Sequence, residues 1–591
     1  MLFKELALFY DRLESVPSRL KMIEILNETF KAAKPSEVEH IIYITQGVLA
    51  PPFEGIEFGV ADKLVEEAIA IATGYSKADV ESLYRKAGDL GDVAKQLKSS
   101  TKLKSMRSQQ YTVEEIYEKM KNLALTSGEG SKAQKIHLLA DMIANSSPEE
   151  VKYIVRYPLG ELRMGVGDAT ILEALALSYA GSRSFKPSLE RAYNICSDLG
   201  YVGKVIASEG TSAIDGFKVT IFKPIRPALA ERLPTAKEIL EKMHGKAAVE
   251  QKYDGFRLQV HKNGNDVKLF SRRLENTTEM FPDIIEAVRK EIPAKRVIFE
   301  GEAIAFNEVT GELFPFQETI QRKRKHDIDK KAEELPLHLF AFDIMYNEGE
   351  DLLSKPYEER RALLEKLLHN STTIRPTTRI ITDSPKELEE FFERSIEAGL
   401  EGIVAKDLHA PYIAGARKFS WIKMKRSYKG ELNDTLDLVI VGYYLGKGGR
   451  AEFEFGGLLC AVYNKKRDMF ETITKLGTGF TEAQMHELKT MLQKIQVKSK
   501  PARVDSIIEP DFWVTPKYVV VVKADEITKS PTHTCGREKQ PDGTEVGYAL
   551  RFPRLVGNET VRSDKSAEDA TTTSEVIEMY NQQKKVKIED S

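Results

Sequence analysis

The feature that most constrains the fold of this chain is a change of pattern at residues 222–234, the proline-interrupted stretch FKPIRPALAERLP. Before it, amphipathic windows with helical spacing predominate, as at 61–74, 112–125 and 134–146. After it, short apolar runs typical of strands alternate with helical windows. Because a chain of 591 residues is too long for one hydrophobic core, the pattern predicts a helical region followed by separate regions built on sheets.

The domain boundaries follow from the same pattern. We predict an all-α N-terminal domain over 1–230, an α+β domain over 231–427, a C-terminal β-barrel domain over 428–570 and a tail over 571–591 with one short helix. The barrel region combines several short strands with a single helix, TEAQMHELKTMLQKI, which suits a small barrel of the OB-fold type. The expected architecture is therefore multidomain.

Composition favours a soluble globular protein, with 41% hydrophobic and 30% charged residues. No apolar run has the length of a membrane span, and charges occur too early in the chain for a signal peptide. The three cysteines, Cys196, Cys460 and Cys535, are far apart and form no CxxC pair. This pattern indicates neither a disulfide framework nor a zinc site, and we expect a cytoplasmic protein.

Charge alone leaves nucleic-acid binding open. The net charge of -3 does not indicate it, but two local runs, at 95–107 and 321–331, are rich in lysine and arginine. Such runs are usually solvated faces, and a minority of them contact phosphate.

The segment VEQKYDGFRLQVHKNGNDVKLFSRR (249–273) contains a predicted hairpin. Asn263-Gly264 is a strong signal for a tight turn, here between strands at 256–261 and 267–271. Lys252 stands just before this strand pair. A solvated lysine is the usual interpretation of such a residue.

Charged residues recur at the ends of the apolar strands of the middle region. Two pairs, Glu300/Glu302 and Lys423/Lys425, are two residues apart, so on a strand each pair points to one face. Such a face could hold a polyphosphate and its metal ion, whereas any one of these charges alone is more often an exposed strand residue. The full set is Lys252, Asp254, Arg257, Arg272, Glu300, Glu302, Asp343, Glu401, Lys406, Lys423 and Lys425.

A phosphate-binding loop of the GxxxxGK[ST] type does not occur in the sequence. A bound nucleotide would therefore be held by side chains on a sheet. A lysine can attack phosphorus only as the free amine, so its pKa must be lowered by burial or by nearby cations such as Arg257, Lys423 and Lys425. The product of attack on an α-phosphate would be a lysyl phosphoramidate.

The ordered motifs then resemble a known family. Lys252-Tyr-Asp-Gly-Phe-Arg257 is similar to the KxDGxR signature of covalent nucleotidyltransferases. It is followed in order by SRR (271–273), FEGEA (299–303), FAFD (340–343), EGIVAK (401–406), WIKMK (421–425) and LRFPR (550–554). The set resembles the ATP-dependent DNA ligases of the archaeal and eukaryotic replicative type. GELRMGVGDATILEALAL (160–177) is similar to the family's DNA-binding domain, so the resemblance covers nearly the whole chain.

The resemblance implies a role for each matching residue. Lys252 would accept AMP from ATP, Glu250 would contact the adenine and Phe342 would stack beneath it. Glu302 would contact the ribose and, with Glu401, hold the metal ion, while Glu300 occupies a position where the family often has aspartate. The phosphate or ribose contacts would come from Arg257, Arg272, Lys406, Lys423, Lys425 and Arg551. Arg551 would act mainly during the transfer of AMP to Lys252, the self-adenylylation step that charges the enzyme.

The resemblance also implies cofactors and partners. The cofactors would be ATP and Mg²⁺, and the substrate nicked double-stranded DNA in replication, repair and recombination, sealed by a monomer in the cytoplasm of an archaeal-type cell. A sliding clamp (PCNA) is an expected partner of this family. Residues 110–117 loosely resemble a clamp-binding peptide, but they also fit a helix start capped by Thr112 with Glu115 three residues later, and we favour the helix.

Four other classes of protein fit parts of this pattern. An RNA-capping guanylyltransferase or an RNA ligase does not explain the helical N-terminal region. A bacterial NAD-dependent ligase needs a four-cysteine zinc module that three scattered cysteines cannot build. A non-catalytic DNA-binding scaffold would be expected to have lost Lys252, Glu302 or Lys423, and all three are present.

Overall fold

The structure is a computed structural model. It describes the chain apart from residues 101–109, 161, 234, 308–311, 314–318, 320–334, 399, 426–434, 447–454, 541–542, 557–559 and 583–591. Among the described helices, none has both the length and the apolar character needed to cross a membrane.

The N-terminal part is built from helices around one continuous hydrophobic core. The predicted windows at 61–74, 112–125 and 134–146 are confirmed as helices, and Thr112 caps its helix through a capping box with Glu115. The helices are Phe3–Glu14, Arg19–Ala32, Val38–Gln46, Asp62–Thr73, Lys77–Ala87, Leu90–Ser100, Val113–Leu125, Ser131–Asn145, Pro148–Arg156, Asp168–Tyr179, Lys186–Cys196, Leu199–Glu209 and Thr211–Asp215.

The middle part contains strands β1 to β12 and packs helices against them. The strands are β1 (Leu229–Arg232), β2 (Ala247–Lys252), β3 (Phe256–Asn263), β4 (Asp266–Ser271), β5 (Arg296–Asn307), β6 (Glu312–Leu313), β7 (Leu337–Asn347), β8 (Glu350–Asp351), β9 (Ile374–Pro376), β10 (Arg379–Thr382), β11 (Gly402–Lys406) and β12 (Arg417–Lys425). The helices are Ala236–Lys242, Pro282–Glu291, Tyr357–Leu368 and Pro385–Glu397.

These strands form two sheets. One has five strands in the order β1-β12-β11-β2-β10. The other has seven, in the order β4-β3-β5-β7-β8, with β6 paired to β5 and β9 paired to β7. The chain passes from the first sheet to the second between β2 and β3, directly after Lys252. Lys252 therefore lies where the two sheets meet.

The C-terminal part also contains two sheets. Its strands are β13 (Leu436–Tyr444), β14 (Gly457–Asn464), β15 (Met469–Leu476), β16 (Gln496–Val497), β17 (Val504–Asp505), β18 (Phe512–Val514), β19 (Val519–Lys523), β20 (Glu526–Ser530), β21 (Cys535–Lys539), β22 (Glu545–Arg551) and β23 (Arg554–Leu555). An eight-stranded sheet contains β13 to β19 and β23, and a three-stranded sheet has the order β20-β22-β21. The predicted helix after β15 spans Glu482–Gln493.

The short helix predicted in the tail is present as Thr573–Gln582. It packs on the C-terminal sheets, because Val576 is fully buried in their hydrophobic core. The hydroxyl of Thr573 donates to the buried carboxylate of Glu471 at 2.9 Å. This helix is thus part of the C-terminal hydrophobic core.

The predicted hairpin of β3 and β4 is confirmed, but its predicted turn is wrong by one residue. Asn263 pairs with Asp266, so the loop residues are Gly264 and Asn265. Gly264 has a φ of 62°, which places glycine first in the loop as a type II′ turn requires. The Asn-Gly pair suggested the other common turn, with asparagine first.

The segment that leads out of the helical part runs along the seven-stranded sheet. The amide of Phe222 donates to His261 Nδ1 at 2.9 Å, and that of Ile225 donates to Gln259 Oε1 at 2.7 Å. The carbonyl of Ala228 accepts from Arg257 Nη1 at 2.9 Å. Three side chains of β3 therefore hold this segment in place.

Candidate active site

Lys252 ends β2 beside a carboxylate and a second lysine. Gly402 lies opposite Lys252 in the neighbouring strand, and the amide of Glu401 donates to the carbonyl oxygen of Lys252 at 3.0 Å. The Glu401 carboxylate contacts the ammonium groups of both Lys252 and Lys425. The predicted nucleophile, phosphate ligand and metal ligand thus meet at the ends of adjacent strands.

Burial lowers the pKa of Lys252, and the positive charges of Arg257 and Arg272 lower it further. The carboxylates of Glu302 and Asp254 act in the opposite direction. Burial and the neighbouring Lys252 lower the pKa of Lys425 to about 8. Burial thus moves the pKa of Lys252 in the direction that a nucleophilic lysine needs.

Gly255 allows the lysine segment to approach β5 closely. A Cβ at this position would lie 2.3 Å from the carbonyl oxygen of Ala303, a backbone atom that cannot move aside. The Gly255 amide also donates to Glu302 Oε1 at 3.2 Å. Burial raises the pKa of Glu302, which the nearby Lys252 and Arg257 oppose. Glycine is therefore required for the segment after Lys252 to lie this close to β5.

Arg257 lies across the buried face of the seven-stranded sheet and is held by Glu300. Its Nη2 donates to Glu300 Oε2 at 2.8 Å, and the Tyr412 hydroxyl donates to the same oxygen at 2.8 Å. Gln259 donates to the other oxygen at 3.2 Å. Glu300 is 1% exposed and accepts three donors. Its role in this arrangement is to orient Arg257, and it has little capacity left to bind a metal ion.

Phe342 lies among aromatic and cationic side chains. Its ring meets Trp421 edge-on, with ring centroids 5.9 Å apart. The Arg257 guanidinium lies 5.2 Å from the ring centroid and Lys406 Nζ lies 5.1 Å from it. Lys406 Nζ also donates to the Phe342 carbonyl oxygen at 2.7 Å. The structure therefore brings Phe342, Arg257 and Lys406 together.

Glu250 shares the strand of Lys252 but is enclosed by donors. One carboxylate oxygen accepts from the Tyr357 hydroxyl and from Arg361 at 3.3 Å. The other accepts from Thr377 at 3.0 Å and faces Lys406 Nζ at 3.1 Å. The motifs do not include Tyr357, Arg361 or Thr377. Arg361 lies on the helix Tyr357–Leu368 and is 2% exposed, but its sequence window contains no signal that it is buried.

Profiles of known families match three stretches of the chain. Residues 2–176 match the DNA ligase N terminus, residues 227–425 the ATP dependent DNA ligase domain, and residues 451–565 the ATP dependent DNA ligase C terminal region. A protein of Dictyoglomus turgidum named "Probable DNA ligase" is 50% identical over 590 residues, covering 100% of this chain and 99% of that protein. The chain belongs to the ATP-dependent DNA ligase family.

The resemblance predicted from the motifs is thereby confirmed, and the protein is an ATP-dependent DNA ligase. A second relative, the "DNA ligase" of Staphylothermus marinus, is 43% identical and covers 99% of each chain. The solved structure titled "Pmar-Lig_Pre." has a TM-score of 0.57 at 18% identity and covers 96% of this chain and all of that chain. At this identity the likeness concerns the fold only.

The C-terminal part of the ligase reaches the lysine motif through Arg551. Arg551 Nη1 lies 2.7 Å from Glu526 Oε1 and 3.7 Å from Asp254 Oδ2. Two further predicted residues stand at the edges of the site. Arg272 is exposed just beyond β4, and Lys423 lies on β12 opposite Val404 of β11. Lys252, Glu401, Lys425 and Arg551 thus lie close together, although they come from widely separated segments.

The carboxylates near Lys252 suit a magnesium ion in part. Mg²⁺ usually takes one or two protein carboxylates together with phosphate oxygens and water. Glu302 and Glu401 both face Lys252, and Glu302 accepts a single described hydrogen bond, from Gly255. Among the described residues, no cluster of three or more acidic, histidine or cysteine side chains has the geometry of a metal site. The two carboxylates of Glu302 and Glu401 fit a magnesium ion whose other ligands are phosphate oxygens of the nucleotide and water.

The predicted DNA-facing runs are only partly described. Residues 101–107 of the first run and all of 321–331 lie outside the described residues. In the described part of the first run, Lys95 pairs with Asp11 at 3.4 Å and Lys98 donates to the carbonyl oxygen of Ala144. These two lysines therefore make contacts within the helical part.

The segment 110–117 forms the predicted start of a helix, which spans Val113–Leu125 and is capped by Thr112. Its apolar residues Tyr111, Val113, Ile116 and Tyr117 are at most 5% exposed and belong to the N-terminal core. They are therefore not available to bind a clamp.

Proposed function

We propose that this ligase seals nicks in duplex DNA through adenylylation of Lys252. The Nζ of Lys252 forms a bond to the α-phosphorus of ATP and loses a proton. The bond between the α-phosphorus and the bridging oxygen breaks, and its electron pair leaves with pyrophosphate. The observation that carries the proposal is the position of Lys252 between the two sheets, with a lowered pKa and within reach of Arg257, Glu302 and Lys425.

Two further transfers complete the proposed reaction. An oxygen of the 5′-phosphate attacks the phosphorus of the lysyl adenylate, the P–N bond breaks and Lys252 recovers its proton. The 3′-hydroxyl then attacks the 5′-phosphorus, loses a proton and expels AMP with the electron pair of the broken bond. Protein side chains contribute mainly by positioning the reactants and stabilising charge.

The base and sugar would lie against the seven-stranded sheet. We assign Phe342 to stacking under the adenine and Glu302 to the ribose. We assign Glu250 to the adenine side of the site. Because both Glu250 oxygens already accept donors, a direct contact with the adenine amino group requires one of those donors to move.

The phosphates would be bound by the cations around the cleft. We assign Lys423 and Lys425 to the α-phosphate, with Arg257, Arg272 and Lys406 as supporting contacts. Arg551 would act while the enzyme charges itself, which its position near Asp254 supports.

A magnesium ion would be held by Glu302 and Glu401 together with the phosphates. When bound, it neutralises phosphate charge. Binding at Glu401 would compete with the contacts that this carboxylate makes to Lys252 and Lys425.

The remaining parts would grip the DNA. We propose that the helical domain over 1–230 and an OB-fold barrel over 428–570 bind the duplex on opposite sides of the domain over 231–427, mainly through phosphate contacts. We further propose that the protein is a monomer, that it is located in the cytoplasm and that it docks on a sliding clamp. Of the predicted tail over 571–591, the helix Thr573–Gln582 packs with the barrel part. The clamp-binding segment would lie outside 110–117.

The test is to incubate the protein with α-labelled ATP and magnesium without DNA. We expect acid-labile, alkali-stable label on the wild type and on Lys246→Ala, an exposed lysine nearby, but none on Lys252→Ala. Label from GTP alone would indicate a capping enzyme. No label with any nucleotide, from folded protein free of AMP, would refute the proposed chemistry and leave a DNA-binding scaffold.

A further inference from the structure

Arg551 is oriented by a carboxylate that none of the motifs contains. Glu526 and Arg551 lie directly opposite each other on β20 and β22, so their side chains share one face of the three-stranded sheet. Glu526 Oε1 accepts from Arg551 Nη1 at 2.7 Å. The same Nη1 lies 3.7 Å from Asp254 Oδ2, in the lysine motif of the middle part.

The backbone supports this pairing. The amide of Asp525 donates to the carbonyl oxygen of Arg551 at 3.0 Å, which fixes the start of β20 against the end of β22. Arginine has many rotamers, and a partly exposed one loses much conformational freedom when it is held. A charge-assisted hydrogen bond from a neighbouring strand restricts that freedom before a ligand arrives.

We propose that Glu526 is a positioning residue for self-adenylylation: it holds Arg551 in the orientation that meets the lysine motif and the outgoing phosphates. Glu526 acts through Arg551 and does not touch the nucleotide itself. The proposal rests on the proposed function, because it concerns the step that charges Lys252.

Glu526→Gln keeps the shape of the side chain but removes its charge. We expect the single-turnover rate of self-adenylylation at limiting ATP to fall about tenfold, the size of one moderately exposed charge-assisted contact. The KM for ATP should rise. Sealing of a nick by enzyme that was charged beforehand should be unchanged, because pyrophosphate has already left.

Glu538→Gln is the matched control. Glu538 lies on β21 of the same small sheet and faces Lys529 at 4.0 Å. It should leave both the charging rate and the sealing rate unchanged. Glu526→Asp, which keeps the charge on a shorter side chain, should recover part of the charging rate.

A double-mutant cycle distinguishes an effect of Glu526 through Arg551 from a general effect on the fold. If Glu526 acts through Arg551, Glu526→Gln should have no further effect on charging when Arg551 is already alanine. An additional loss in that background, an equal loss in sealing by pre-charged enzyme, or no loss in the single variant would each overturn the proposal. Failure of the wild type to take up label would instead refute the proposed function.

Discussion

Lys406 Nζ lies 3.1 Å from Glu250 Oε2, and neither side chain has more than 2% of its surface exposed. The pair links β2 to β11, because the two residues stand on these adjacent strands. Breaking a buried pair costs more than the pair itself contributes, since one charge remains without its partner.

Lys406→Met is therefore expected to lower the free energy of unfolding by about 3 kcal/mol. Lys418→Met, at an exposed position on β12, should change it by less than about 0.5 kcal/mol. Urea unfolding of the two variants beside the wild type measures both values. Equal stability of the two variants would contradict a structural contribution from the buried pair.

His261 makes stability depend on pH. Its Nδ1 accepts from the Phe222 amide and its Nε2 donates to Gln259, so a second ring proton would face an N–H donor. Burial, with a smaller effect of Lys268, lowers its pKa from 6.5 to about 3. Below pH 6.5 the unfolded chain takes up a proton on this histidine, whereas the folded protein excludes that proton until about pH 3. The free energy of unfolding therefore falls as the pH falls from 6.5 to about 3.

From pH 6.5 to pH 5 this group should cost about 2 kcal/mol of folding free energy. His261→Gln should show a loss smaller by that amount, whereas His137→Gln, at an exposed site, should behave as the wild type. Unfolding free energies at the two pH values supply the comparison. The same loss in His261→Gln as in the wild type would show that another group is responsible.

Gly255→Ala should disable charging of Lys252. The added Cβ would lie 2.3 Å from the Ala303 carbonyl oxygen, so the lysine segment must move away from β5. A displacement of this size is expected to slow self-adenylylation about a hundredfold. Gly477→Ala, whose Cβ meets no atom within 4 Å, is the control in the same label-transfer assay. A normal rate in Gly255→Ala would mean that this close approach is not needed for catalysis.

The helix Thr573–Gln582 should contribute to the stability of the C-terminal part. Val576→Ala removes two methyl groups from a fully buried position and should cost about 2 kcal/mol. Ser574→Ala, on the exposed side, should cost little. Thermal unfolding of both variants tests whether the helix contributes to the stability of the C-terminal core. An unchanged transition temperature in Val576→Ala would show that it does not.

Local sequence pattern was sufficient for the elements that depend on local forces. The β3–β4 hairpin, the helix capped by Thr112 and the helix Glu482–Gln493 are all present. The turn of the hairpin was misplaced because Gly264 can serve either as the second residue of an Asn-Gly loop or as the first residue of a Gly-Asn loop, where it takes a positive φ.

Long-range pairings could not be predicted in the same way. Arg361 reaches Glu250 from 111 residues away, and nothing in its helical window distinguishes a buried arginine from a solvated one. Glu526 similarly meets Arg551 only because β20 and β22 are paired. The motifs indicated which residues matter, whereas the side chains that hold them depend on tertiary packing.

The segment that joins the helical part to the seven-stranded sheet has a mechanical consequence. A rotation about this connection would break hydrogen bonds made by Phe222, Ile225 and Ala228, two of which involve the buried side chains of His261 and Gln259. These hydrogen bonds therefore restrain rotation of the helical part relative to the seven-stranded sheet. Contact between Arg551 and Asp254, by comparison, is a single 3.7 Å approach between partly exposed groups. If DNA binding moves the parts relative to one another, we expect the first two parts to move together, because these hydrogen bonds join them.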